Sequence, residues 1–387
     1  MLAWLIGFAI LHRQTRHQTP ERDPYLLPIL ALLSGWGLLT IWRLDPAFGL
    51  RQTLWLLLCQ ALFWFGLKRP HLLEELRRYK YLSLSGILLL TALTLLFGAY
   101  PGGLGPRLWL GCCGIYFQPS EALKLLLVIY LAAYMAERQA TTIGLLQILT
   151  PALLLVGSSI TLLAVQRDLG AASLLIALFT LIIYLATGKR RVLTISSLLL
   201  ICAGFIGYRM FDVIRLRVDA WLNPWPDSAG RSFQIVQSLL AFASGGFLGS
   251  GPGLGSPGVV PVAHSDFIFT AIGEESGLLG GIGLLLLLGI LTVRGFQTAL
   301  SAPNAYQRLL AGGITIYLIS QSILIIGGNL RLLPLTGVTL PFVSYGGSSL
   351  LISFISLLLL LRISNETQDQ PAPLRHPGPY ITIGALL

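Results

Sequence analysis

The residues best suited to chemistry lie in Ala263-His264-Ser265-Asp266-Phe267-Ile268-Phe269, followed by Gly273-Glu274-Glu275. A carboxylate at the edge of an apolar run can take a proton from a hydroxyl, so Asp266 is a candidate general base. His264 is a rival, because an imidazole titrates nearer neutrality. The plainer alternative is that Asp266 caps the helix starting just after it. Glu274 and Glu275 sit about two to three turns deeper and suit packing, a polar network or a cavity floor.

A second group, Gln118-Pro119-Ser120-Glu121 with Lys124, opens another apolar run. Pro119 suits a first helical turn. Glu121 and Lys124 are spaced to share a helix face and pair. Charge within a membrane helix is costly. The pair therefore either locks one helix to its neighbours or lines a polar cavity reached by an anionic ligand. In Gln166-Arg167-Asp168-Leu169-Gly170, Asp168 can cap a helix or meet a cation. Arg51 and Arg107 carry the planar fork that suits phosphate, with interfacial anchoring as the simpler reading. The stretch Pro341 to Ser349 includes Ser344 and Tyr345, whose hydroxyls can face a cavity, and small residues that permit close helix approach. The glycine-rich Gly249 to Gly255 lacks the lysine and the strand–helix context of a phosphate loop, and a flexible lid or hinge is expected there instead.

These residues need elements to hold them. Of 387 residues, 55% are hydrophobic and 11% charged, where a soluble domain carries about 25% charged. A soluble fold is excluded. A membrane-spanning helix needs roughly 20 apolar residues. Ten runs qualify: 24–42, 51–67, 81–99, 118–136, 143–164, 170–187, 192–211, 267–293, 307–328 and 343–361. The expected fold is an all-α polytopic membrane protein of about ten transmembrane helices. One long extracytoplasmic loop, 212–266, separates spans seven and eight, and its stretch Phe233–Phe247 reads as an amphipathic helix. Residues 1–23 form an N-terminal segment with a basic cytoplasmic stretch, its apolar start resembling the end of an upstream helix. The membrane domain covers 24–363, and 364–387 is a polar, Pro-rich cytoplasmic tail that could lead to a further segment.

The net charge of +10 is not a nucleic-acid signal, because the cations cluster between apolar runs. With the N-terminal tail in the cytoplasm, sixteen Lys/Arg fall on the inner segments: Arg13, Arg16, Arg22, Lys68, Arg69, Arg77, Arg78, Lys80, Arg138, Lys189, Arg190, Arg191, Arg294, Arg308, Arg362 and Arg375. Five fall on short outer loops: Arg43, Arg51, Arg107, Arg167 and Arg331. The asymmetry sets the orientation. The long loop, and with it most candidate chemistry, then faces outward. Cys59, Cys112, Cys113 and Cys202 lack metal-site spacing and read as small apolar fillers.

Taken together, Gln118 to Glu121 with Lys124, Asp168-Leu169-Gly170, Ala263 to Phe269 with Gly273 to Glu275, and Pro341 to Ser349 carry a family resemblance. The chain resembles the SEDS proteins (shape, elongation, division and sporulation), the RodA/FtsW group of bacterial peptidoglycan polymerases, from about residue 24 to 362. That resemblance implies a peptidoglycan glycosyltransferase of cell-wall biogenesis in the bacterial cytoplasmic membrane. Its substrate would be lipid II, an undecaprenyl-pyrophosphate-linked disaccharide pentapeptide. Asp266 maps onto the family's essential aspartate, and Glu121 with Lys124 onto the pair that shapes its cavity. Gln118, Asp168, His264, Ser265, Ser344 and Tyr345 are expected around the substrate. Arg51, Arg107 or Lys124, or a divalent cation (Mg or Mn), would offset the pyrophosphate charge. The chain departs from many relatives at Arg167 (Pro), at Tyr116 (Arg) and in placing Arg107 one position early, which leaves open which cations hold the pyrophosphate. A class B penicillin-binding protein is the expected partner. The rival functions are a flippase for the lipid-linked precursor and a non-catalytic scaffold for that partner. No internal repeat supports the first.

Overall fold

The computed structural model describes residues 1–100, 106–112, 114–138 and 145–368. Cys113, the predicted span start at 143–144 and the tail beyond 368 lie outside the described residues.

The helices, in chain order, are α1 (Leu2–Gln18), α2 (Leu26–Leu44), α3 (Pro46–Leu67), α4 (Leu72–Arg78), α5 (Lys80–Phe97), α6 (Pro119–Arg138), α7 (Leu145–Val165), α8 (Leu169–Thr187), α9 (Arg190–Met210), α10 (Asp212–Leu222), α11 (Phe233–Gly245), α12 (Ile268–Ser301), α13 (Ala305–Asn329) and α14 (Gly347–Gln368). A hairpin of β1 (Leu110–Cys112) and β2 (Ile115–Phe117) precedes α6, with Leu110 opposite Phe117. Among the described residues nine of these helices are long and apolar enough to cross a membrane, and the apolar part Leu149–Val165 of α7 is shorter. The protein is a multi-pass helical membrane protein. Helix α14 runs past the predicted domain end at 363, and α1 continues through the basic Arg13 and Arg16.

Local sequence sets the helix ends. Asp45 caps α3, its side chain accepting from Ala47 N at 2.7 Å, with Pro46 at the first helical position. Asp168 caps α8 through Ala171 N at 3.1 Å. Asn304 caps α13 through Gln307 N at 2.9 Å. Helices α6 and α13 form the buried centre and pack on each other, whereas α9 and much of α5 are exposed. Cys59 is buried as expected, but Cys112 and Cys202 are exposed.

The eighth span departs from expectation. As a straight helix, α12 would be about 51 Å long, well beyond the roughly 30 Å hydrocarbon layer. It breaks at Gly277, where φ is 65° and ψ −164°. The chain after α11 repairs the break. Ser250 N donates to Glu274 O at 2.9 Å and Gly251 N to Glu275 O at 3.1 Å, while Leu278 N donates back to Gly246 O at 2.9 Å. Gly249 fits because a Cβ there would collide with Glu275 O. The Glu275 carboxylate pairs with Arg43 at 3.2 Å and accepts from Gly253 N, and the Glu274 carboxylate accepts from Ser256 N at 2.8 Å. The glycine-rich stretch, expected to be a flexible lid or hinge, is bonded down onto the broken helix. The amphipathic stretch is helical, as α11, and packs against α12.

The bundle has two unlike ends. At the mouth, α2, α5, α7, α9 and α13 finish, α3, α6, α8, α12 and α14 begin, and the 212–266 loop folds over. The opposite, basic end gathers Lys80, Arg294 and Arg362.

Candidate active site

Asp266 lies at the mouth, just ahead of α12. It does not cap that helix: the N-cap position is Phe267, and among the described residues no backbone N–H is held by the Asp266 side chain. Its Oδ1 accepts from the Ser265 hydroxyl at 3.0 Å, and its backbone carbonyl accepts from Asn329 Nδ2 at 2.8 Å. Thr270 and Ser238 extend this network, with Thr270 Oγ1 donating to Asn329 Oδ1 at 3.2 Å. Asp266 is partly buried by accessible surface, and the loss of solvation raises its carboxyl from its ordinary value, while the Ser265 hydroxyl and then the Arg217 charge pull it back. A carboxylate made more basic in this way suits proton abstraction.

The segment carrying Asp266 is strapped to the 340–346 turn. The Ser344 hydroxyl donates to Ser265 O at 2.7 Å and accepts from Leu340 N at 2.9 Å. Tyr345 N donates to His264 O at 2.8 Å. Gln52 closes the group, donating to Ser344 O and accepting from Gly346 N, both at 3.3 Å. The His264 ring stacks on Phe48 at 4.2 Å and meets Tyr345 edge-on at 5.4 Å. Burial lowers its pKa, opposed by Asp45. A neutral imidazole held between aromatic rings positions its neighbours. Ser344 and the Tyr345 backbone likewise serve the strap.

Two further clusters lie alongside. Asp168 Oδ2 accepts from the Ser120 hydroxyl at 3.1 Å and from Gln118 Nε2 at 3.4 Å, while Gln118 N donates to Ser348 Oγ at 2.9 Å. Further along α6, Lys124 Nζ pairs with Glu121 Oε1 at 2.7 Å and reaches Gln321 Oε1 at 3.4 Å. Gln321 in turn donates to Thr339 O at 2.8 Å. Glu121 is 6% and Lys124 1% exposed, and Glu121 Oε2 has no partner among the described residues. The pair ties α6 to α13, in line with the first of the two expectations, and leaves one carboxylate oxygen unsatisfied.

Arg51 and Arg107 are exposed, and neither bonds to any of these groups. Sequence reasoning missed Arg217, Asn329, Gln321 and Gln52. The last three were visible as polar residues within or ending apolar runs. Arg217 is held on α10, which is docked against the end of α13. Trp221 Nε1 donates to Arg331 O at 3.1 Å, and Arg331 Nε donates to Trp221 O at 2.8 Å. A recess of about 390 Å³ opens here, lined by Trp221, Leu222, Leu239, Leu330 and Arg331. Among the described residues no three His, Cys, Asp or Glu side chains gather as a metal site.

Residues 27–369 match the family model FtsW/RodA/SpoVE, described as cell cycle protein. The chain belongs to this family. It is 37% identical to the peptidoglycan glycosyltransferase RodA of Mycobacterium tuberculosis (strain ATCC 25618 / H37Rv), over 94% of this chain and 82% of that protein. It is 36% identical to stage V sporulation protein E of Bacillus subtilis (strain 168), over 68% of this chain and 73% of that protein. Among solved structures, a chain of a peptidoglycan synthase complex coordinating polymerization and crosslinking matches with a TM-score of 0.77 at 28% identity, covering 90% of this chain and 99% of that one. The rod shape determining protein RodA of Thermus thermophilus matches with a TM-score of 0.66 at 28% identity, covering 89% and 96%. Family membership agrees with the resemblance carried by the mouth motifs.

Proposed function

We propose that this chain polymerises lipid II into glycan strands at the outer face of the bacterial cytoplasmic membrane, with Asp266 as general base. The relatives are named peptidoglycan glycosyltransferases, and this chain is one. The observation that carries the reading of the site is the Asp266 carboxylate, released from capping, made more basic by burial and oriented by Ser265.

In the reaction, Asp266 takes the proton of the acceptor's sugar hydroxyl. That oxygen bonds to the donor's anomeric carbon. The bond from that carbon to the pyrophosphate oxygen breaks, and undecaprenyl pyrophosphate leaves with the electron pair. A single displacement inverts the anomeric centre. Pyrophosphate leaves without a strong general acid, so a second catalytic carboxyl is not needed. The leaving group's charge is met by cations at the mouth, with exposed Arg51 and Arg107 available to it. The sixteen-to-five asymmetry of Lys/Arg supports placing the mouth outside. The likeness to a chain of a polymerizing and crosslinking complex supports a class B penicillin-binding protein as partner.

The test is purified protein in liposomes given lipid II, with and without the transpeptidase. Glycan ladders on a gel are expected. Lipid crossing the bilayer with no polymer formed would favour a flippase instead.

A further inference from the structure

Helix α10 carries a charge that the reaction above does not use. Arg217 is partly buried and its Nη1 donates to Thr336 O at 3.0 Å. A Cβ added at Gly337 would lie 3.6 Å from Asp266 Oδ2 and 3.7 Å from Arg217 Nη2. Acid and guanidinium thus flank one bare backbone position, at φ 72°. They form no ion pair within 4.0 Å. The negative charge of Asp168 also acts on Arg217, less than that of Asp266. Arg331 also donates to Leu222 O at 2.8 Å, so α10 is anchored at its end and the guanidinium is held in place.

We propose that Arg217 is a positioning residue for the reaction, keeping the Asp266 carboxylate ionised and open to the acceptor hydroxyl while sharing its charge with Asp168. This rests on Asp266 being the base. The reason is the balance of burial and charge. Burial disfavours the anion, and a cation nearby restores it. A closed bidentate salt bridge would occupy both carboxylate oxygens. The open spacing supplies charge and leaves an oxygen for the substrate's proton. The other ionisable groups around this point are His264, packed on Phe48 and Tyr345 and facing Asp45, and Asp168 beyond Arg217. From α13 the neighbour is the neutral Asn329. Arg217 is thus the cation that acts on Asp266.

The test is the pH profile of kcat/KM for polymerisation. Its acidic limb reports the base, active when deprotonated. In Arg217→Gln the Asp266 pKa rises, so the limb moves to higher pH. Below the limb, activity falls about tenfold for each pH unit the limb moves, and the deficit shrinks as pH rises. Arg217→Lys keeps the charge and holds the limb near that of the wild type. Asp168→Asn frees Arg217 to serve one carboxylate and moves the limb to lower pH. An even loss at every pH in Arg217→Gln, with the limb unmoved, would overturn the proposal. If Arg217→Gln does not fold, the Asp168→Asn limb decides: a downward move supports the role and an unmoved limb overturns it. Asp266→Asn is run alongside. Polymer from that variant would remove the base reading itself, whereas an inactive Asp266→Asn with unmoved limbs removes only the role of Arg217.

Discussion

The mouth and the basic end of this bundle are both rich in charge, yet they commit it to different degrees. At the basic end, cations are spent on structure. Arg362 donates to Gly66 O at 3.2 Å, to Arg69 O at 2.9 Å and to Leu67 O, covering the open carbonyls where α3 ends. Arg294 pairs with buried Asp23 at 2.6 Å, and Lys80 with Glu137 at 2.5 Å. At the mouth, the charged groups are left partly uncommitted. Glu121 keeps one oxygen unpaired, Asp266 is held by one side-chain hydroxyl, and Arg217 lies across Gly337 from Asp266 without closing an ion pair on it. Among the described residues, the four non-glycine residues with positive φ, namely Arg167, Val262, Arg331 and Phe342, all sit at the mouth. Such strain gathers where surrounding structure holds a site in a set shape. The basic end serves as an anchor, and the mouth holds the less committed charges.

The sharpest way to break the comparison is to remove one lysine at each end. Lys124→Met leaves Glu121 buried without its partner and is expected to cost about 3–5 kcal/mol. Lys80→Met leaves Glu137, which is 42% exposed and still 3.8 Å from Arg77. That loss should stay within about 1 kcal/mol. Thermal unfolding in detergent compares the two directly, and equal losses would erase the distinction.

A smaller effect tests how closely the mouth is assembled. A Cβ on Gly170 would collide with Thr336 O, the same carbonyl that holds Arg217. Gly170→Ala should cost about 1–3 kcal/mol through forced backbone movement. It should also reduce polymerisation beyond any loss of folded protein, measured as activity per folded molecule. The smallest contrast is between caps. Asp168→Ala and Asn304→Ala should each cost about 1 kcal/mol of stability. Only the first should lower activity, because Asp168 also binds Ser120 and Gln118 at the mouth.

Much of the bundle was legible in the sequence because lipid leaves few options. Each backbone polar group must be satisfied within a helix, so apolar runs of spanning length become helices. Nine of the ten runs became helices of spanning length for that reason, and the run at 143–164 became the helix α7. The break in α12 was hidden because Gly277 lies in a run of glycine and leucine that reads as continuous, although Glu274 and Glu275 marked a place where polar partners were needed. The pairing of Glu121 with Lys124 followed from spacing alone. Asp266 could not be resolved that way, since a capping aspartate and a basic one occupy the same sequence position. What separates them is the backbone N–H geometry, seen in the contrast between Asp168, which caps, and Asp266, which does not. Arg217 was missed because a charge in a long polar loop looks solvent-facing until the loop folds back.

The most direct test separates binding from turnover in Asp266→Asn. The same purified variant would be assayed for lipid II affinity and for polymer, with the transpeptidase present. A base acts on the proton and not on docking, so affinity should stay near that of the wild type while polymerisation falls by about 10²–10⁴-fold. Polymer at the wild-type rate, or a loss of affinity that accounts for the whole loss of polymer, would contradict the assignment of Asp266 as the base.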